Sequence, residues 1–205
     1  MHAKATETSD ERTLPEAIAV CGPAGAGKTT LASALASALG YAIADLDAVA
    51  GRLTALALEL GGADPADLES PLARRLRDAR YGTLLEVARA NIVAGLGVVL
   101  AAPFSAERRS PQAWASVVER LSAGAPGASV SMIYLEVPAD IVHGRLVARA
   151  APRDRRSLLR GPQAVVGEKL IPEAIVLDGA APVSAQLASA LSAIAVPAGA
   201  RLIGT

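Results

Sequence analysis

The segment Gly22-Pro23-Ala24-Gly25-Ala26-Gly27-Lys28-Thr29 sets two glycines five positions apart, directly ahead of a lysine and a hydroxyl. Glycine admits backbone conformations and close approaches denied to residues with a side chain, so consecutive N–H groups at this spacing can converge on phosphate oxygens. A helix opening at Lys28 adds the positive end of its dipole. In that chemistry Lys28 spans the β- and γ-phosphates of a nucleotide and the Thr29 hydroxyl ligates Mg2+. Gly22, Pro23, Ala24, Gly25, Ala26, Gly27, Lys28, Thr29 and Thr30 are therefore the expected nucleotide-binding residues, with ATP and Mg2+ as cofactors. A second chemistry-bearing pair follows in Asp45 and Asp47. Alternation at a strand end puts both on one side of the backbone, near the carboxyl edge where open α/β sheets bind ligands. The competing reading is that they are solvated acids capping a helix that starts near Ala48.

A phosphate cradle of this kind needs a strand in front and a helix behind, and the surrounding pattern supplies both. Apolar runs of strand length at Ala17 to Cys21, Tyr41 to Ala44, Val98 to Ala101, Ser129 to Val137 and Ala174 to Leu177 alternate with helix-length stretches. The helical stretches are Thr29 to Leu39, Ala48 to Leu60, Pro71 to Ala94, Pro111 to Ala123, Ala139 to Arg149 and Ser184 to Ile194, several opened by Pro or Asp and closed by Gly. This alternation predicts an α/β fold, a five-stranded parallel sheet with helices on both faces. A length of 205 residues suits one such domain, over 14–205, behind a loose polar tail at 1–13.

Composition excludes several classes of function. At 52% hydrophobic and 20% charged residues the chain has the makings of a folded core. Twenty Lys plus Arg balance twenty Asp plus Glu, and aromatics are 2%, so neither a global field nor a stacking platform recruits nucleic acid. The longest apolar stretches are too short or proline-broken to cross a membrane. Cys21 is the sole cysteine, which rules out an internal disulfide and a cysteine zinc cluster. Residues 1–12 lack the apolar stretch of a secretory signal, and a cytoplasmic location is expected.

With cradle, helix and acid pair in this order, the sequence resembles the P-loop kinases of small molecules, the shikimate kinase and gluconate kinase group. The likeness runs without a gap from Lys28 to Asp47. It implies a P-loop NTPase fold with a short Arg-rich lid, here about 149–167, and transfer of the γ-phosphoryl group of ATP to a hydroxyl of a small molecule. It also implies that Asp45 holds Mg2+ through water and that Asp47 orients or deprotonates the acceptor hydroxyl. Arg80-Tyr81, Ala102-Pro103-Phe104-Ser105, Glu107-Arg108-Arg109 and Ala151-Pro152-Arg153-Asp154 extend the resemblance to bacterial AAA-type ATP-binding proteins of kinase-like character, over about 16–178. Two positions depart from that pattern: Ala101 and Ala102 stand where the third strand commonly ends in a metal-steadying Asp, and Ser157 stands where Lys is frequent. The missing carboxylate keeps open a second reading, a nucleotide-binding switch or ATPase module with little transfer.

Charge developing on equatorial phosphoryl oxygens calls for cations that close over the site. Arg145, Arg149, Arg153 and Arg156 cluster where related kinases carry the lid, and Arg149 and Arg153 join Lys28 and Asp47 as the expected catalytic residues. Arg74, Arg75, Arg77, Arg80, Arg108 and Arg109 are candidates for the acceptor side, and an anionic acceptor follows if several of them line it. His143 has no Ser or Asp partner at a recognisable spacing, and Cys21, Trp114 and Tyr134 read as core. No N-K-x-D string is present, so guanine recognition is not expected.

Overall fold

The computed structural model describes residues 16–151, 154, 158–159 and 167–194. The tail expected at 1–13, most of the lid segment, and Arg153, Arg156 and Ser157 lie outside the described residues.

Five strands, β1 (Ala17–Cys21), β2 (Ala42–Asp45), β3 (Val98–Ala101), β4 (Val130–Glu136) and β5 (Ile175–Asp178), form one sheet in the order β2-β3-β1-β4-β5. All four neighbouring pairs are parallel. The helices are α1 (Lys28–Leu39), α2 (Leu46–Leu60), α3 (Pro71–Val93), α4 (Pro111–Ser122), α5 (Ala139–Arg149) and α6 (Val183–Ile194). This is the doubly covered parallel sheet of the P-loop NTPase fold.

Strict alternation along the central strands builds two cores. Ala19, Cys21, Leu100, Met132 and Tyr134 pack on one face with Leu84 and Leu85 of α3 and Trp114 and Leu121 of α4. Ile18, Val20, Val99, Ile133 and Leu135 pack on the other with Leu31 and Leu35 of α1 and Ala190 and Ile194 of α6. β1 is buried at every residue because it lies in the middle of a sheet covered on both sides.

The helix starts are chemically explicit. Ser70 accepts from the Ala73 N–H at 3.1 Å and Ser110 from the Ala113 N–H at 3.2 Å, each followed by proline at the first helical position. Boundaries differ from expectation at β2. The strand runs one residue further, to Asp45, and α2 begins at Leu46 rather than Ala48. Asp47 thus sits in the first turn of a helix and not on an extended strand. Among the described residues no helix is long and apolar enough to cross a membrane.

Candidate active site

β1 ends and α1 begins at the carboxyl edge of the sheet, and the turn between them is shaped by glycines at positive φ. Gly22 lies at φ 145°, where an added Cβ would stand 3.1 Å from the Leu135 carbonyl oxygen, so a side chain there is strained by conformation and crowded against backbone. Gly27, the N-cap of α1, lies at φ 98° with no side-chain cap, and leaves the first N–H groups of α1 without a side-chain acceptor. That cradle has the character of an anion site. Arg145 of α5 braces it from behind, donating from Nη1 to the carbonyls of Ala26 at 3.2 Å and Gly25 at 3.4 Å.

Lys28 is half-buried, and its Nζ donates to the Pro23 carbonyl of its own loop at 2.8 Å. Burial pulls this ammonium down to about 8, partly offset by the carboxylate of Asp47. Thr29 Oγ1 donates to Asp45 Oδ2 at 2.7 Å. The other oxygen of Asp45 accepts from the backbone N–H groups of Asp47 at 2.8 Å and Ala48 at 3.3 Å and so caps α2. Both readings of this acid meet in one side chain. Asp47 is exposed, and Arg80 Nη2 of α3 stands 3.6 Å from its Oδ1.

Ala24 to Thr30, Asp45, Asp47, Arg145 and Arg149 line one cleft of about 980 Å3. Gly22 and Pro23 form the base of the loop and do not line it. Two further stretches of the wall carry no signal the sequence reading used. At one end Ala180, Ala181, Pro182, Val183 and Gln186 form a small, largely apolar strip after β5, with Gln186 Nε2 donating to the Ala181 carbonyl at 2.8 Å. At the other end the α2–α3 loop contributes Asp64, Ala66, Asp67, Leu68 and Glu69. Its place on the cleft depends on how α2 and α3 pack.

The arginines divide differently from expectation. None of Arg74, Arg75, Arg77, Arg80, Arg108 and Arg109 lines the cleft. Arg77 pairs with Glu107 at 3.2 Å and lies 4.5 Å over the Tyr81 ring. Arg108 is buried, pairing with Glu168 at 3.0 Å and donating to the Pro103 carbonyl at 2.7 Å, while Arg109 meets the same glutamate at 3.4 Å. Glu168 also accepts from the Tyr134 hydroxyl at 3.1 Å, and desolvation beside that carboxylate pushes the phenol well up. These guanidiniums anchor loops on the sheet, which explains why so many occur without facing the ligand space. Cys21 is fully buried, with its thiol raised to about 12 by desolvation.

The residues present fit a nucleotide and a magnesium ion. Mg2+ takes one or two protein oxygens and otherwise waters and phosphates, and Thr29 with Asp45 is such a pair of hard oxygens. Among the described residues no group of three or more His, Cys, Asp or Glu could hold a metal by itself.

Residues 18–166 match a family model described as an AAA domain. No curated protein matches the chain. Among solved structures, a sugar kinase from Janibacter sp. HTCC2649 is similar at 23% identity and TM-score 0.58, over 89% of this chain and 96% of that one. A gluconokinase from Sinorhizobium meliloti 1021 is similar at 22% identity and TM-score 0.54, over 89% and 93%. Shikimate kinase from Aquifex aeolicus follows at 12% identity and TM-score 0.50, over 87% and 95%.

Proposed function

Because the chain belongs to the AAA domain family matched over residues 18–166, we propose that it transfers the γ-phosphoryl group of ATP to a hydroxyl of a small molecule. The observation that carries the reading is that Lys28, the Thr29–Asp45 pair, Asp47 and Arg149 share one cleft whose wall continues beyond the phosphate loop to Asp64, Asp67 and Glu69. A nucleotide held at the loop leaves that far end for an acceptor. Kinases of sugars, gluconate and shikimate with the same fold support the assignment.

In this reading the loop N–H groups and Lys28 bind the phosphates, and Ala180 to Val183 with Gln186 receive the base. Thr29 and Asp45 would hold magnesium, which when bound neutralises phosphate charge. Asp47 accepts the hydrogen bond of the acceptor hydroxyl and takes its proton as the new P–O bond forms and the bond from the γ-phosphorus to the β,γ-bridging oxygen breaks, leaving ADP, while Arg149 meets the charge on the transferring group. Asp64, Asp67 and Glu69 line the proposed acceptor end, and Arg80 stands 3.6 Å from Asp47 beside it. Ala101 and Ala102 favour the second reading, a nucleotide-binding module with slow hydrolysis.

The test is a phosphate-transfer screen with Mg·ATP over sugars, polyols, nucleosides, amino alcohols, aminoglycosides and hydroxy acids. Asp47→Asn lowers transfer by about 10²-fold while nucleotide binding holds, the usual scale of general-base assistance. Tight ATP binding with no transfer to any compound class, and slow hydrolysis indifferent to Asp47→Asn, would leave the nucleotide-binding module standing.

A further inference from the structure

Helix α5 ends at Arg149 on Ala150, a non-glycine residue at φ 49°. Alanine rarely adopts that left-handed conformation. Here it turns the chain back so that the Asp154 N–H donates to the Ala151 carbonyl at 2.9 Å and the Asp154 carboxylate meets the Arg149 side chain. The contact is a fork: Nε donates to Oδ2 at 2.7 Å and Nη2 to Oδ1 at 2.5 Å. The carboxylate side chain is 3% exposed and the arginine side chain 40%. Both residues line the cleft, but only the arginine side chain is substantially exposed.

A guanidinium can grip a pair of oxygens along two edges, Nε with Nη2 or Nη1 with Nη2. Asp154 takes the first. The second edge presents two of the three remaining hydrogens and, with the first pinned, has a fixed direction. The charge of Arg149 is felt at the Lys28 ammonium, which places it in the neighbourhood of the phosphate loop. An unpinned arginine at the end of a helix would have to be ordered during the reaction itself, whereas donors fixed beforehand stabilise developing charge without that cost.

Resting on the phosphoryl-transfer reading, we infer that Asp154 is a positioning residue for that reaction, holding Arg149 by its side edge so that its end edge meets the transferring phosphoryl group. Asp154 itself touches no reactant. The opposite role, in which the carboxylate sequesters Arg149 from the nucleotide, predicts the opposite sign in the same experiment.

The probes are Mg·ADP alone and Mg·ADP with aluminium fluoride, which imitates the phosphoryl group in flight. The readout is the factor by which fluoride tightens ADP binding, measured by titration on the full chain. Asp154→Asn leaves ADP binding within about twofold and cuts the tightening by about tenfold, the scale of one well-placed charge-assisted contact. Arg149→Ala cuts it at least as far, and adding Asp154→Asn to Arg149→Ala lowers it no further, because Asp154 acts only through Arg149. A structural role would make the two losses add. Tightening unchanged in Asp154→Asn overturns the inference, and tightening increased establishes sequestration instead. If Asp154→Asn alone does not fold, the double variant, which buries no unpaired carboxylate, still decides by comparison with Arg149→Ala. Absence of ADP binding or of any tightening in the unsubstituted protein would bring down the phosphoryl-transfer reading itself, a result distinct from a failure at Asp154.

Discussion

Burial of the Lys28 ammonium in the loop pulls it down to about 8, with only partial relief from Asp47. A bound polyphosphate reverses that balance and raises the lysine again, so binding and protonation are linked. With a midpoint of about 8, the protonated fraction is about 0.9 at pH 7 and about 0.1 at pH 9, so affinity for a non-hydrolysable ATP analogue should fall about tenfold between them. The analogue must be one whose terminal phosphate is already fully ionised at pH 7, so that its own titration stays below this window. Calorimetric titration in buffers of different ionisation enthalpy gives a second readout: proton uptake on binding should rise from about 0.1 at pH 7 to about 0.5 at pH 8. Lys28→Met should bind more weakly with a flat profile. The same depression makes the unfolded chain the more protonated state between about 8 and 10.5, so the cost of charged Lys28 to folding is present below that window and is relieved as pH rises through it. A pH-independent affinity in the parent protein, or an equal decline in Lys28→Met, would refute the linkage.

Two further outcomes test the acids and caps. Asp45→Asn keeps a good N-cap for α2 and should change stability by less than about 0.5 kcal/mol, whereas Asp45→Ala should cost about 1 kcal/mol; both should weaken the Mg2+ dependence of nucleotide binding, read by titrating the metal at fixed nucleotide. Ser70→Ala removes the hydroxyl that accepts from the Ala73 N–H and should lower the urea midpoint by the equivalent of about 1 kcal/mol at unchanged slope, so a shift of under a quarter of that would count against the cap as a stabilising contact.

The fold was legible because its signals are local. Short apolar runs mark the strands of a doubly covered sheet, and Pro or Asp and Gly mark the helix ends, so the bounds agree within one or two residues. The phosphate loop was legible for the same reason, being one contiguous string. Asp45 was harder: strand alternation and helix capping were posed as rivals, yet one carboxylate has two oxygens and uses one for Thr29 and the other for the cap. The partners of the arginines were not legible because they are distant in the chain. Arg77 finds Glu107 and Arg108 finds Glu168, 30 and 60 positions away, and no helical periodicity carries that information. The strip from Ala180 to Val183 escaped notice since its side chains have no chemistry of their own; the available signal was its position just after a strand, at the carboxyl edge.

The register of the sheet gives the Thr29–Asp45 hydrogen bond a wider meaning. Asp45 on the edge strand β2 is level with Ala101 of β3, which in turn is level with Val20 of β1, so the bond from α1 to β2 passes over the end of the strand between them. It can do so because Ala101 and Ala102 are small and buried. An acid at the end of the third strand, as the family resemblance leads one to expect, would stand level with Asp45 of β2. Adding Asp at 101 would set two carboxylates side by side, and one would have to take up a proton to stay. Positions 45 and 101 therefore form one choice rather than two, and a redesign that moves the carboxylate inward must empty the edge strand as well.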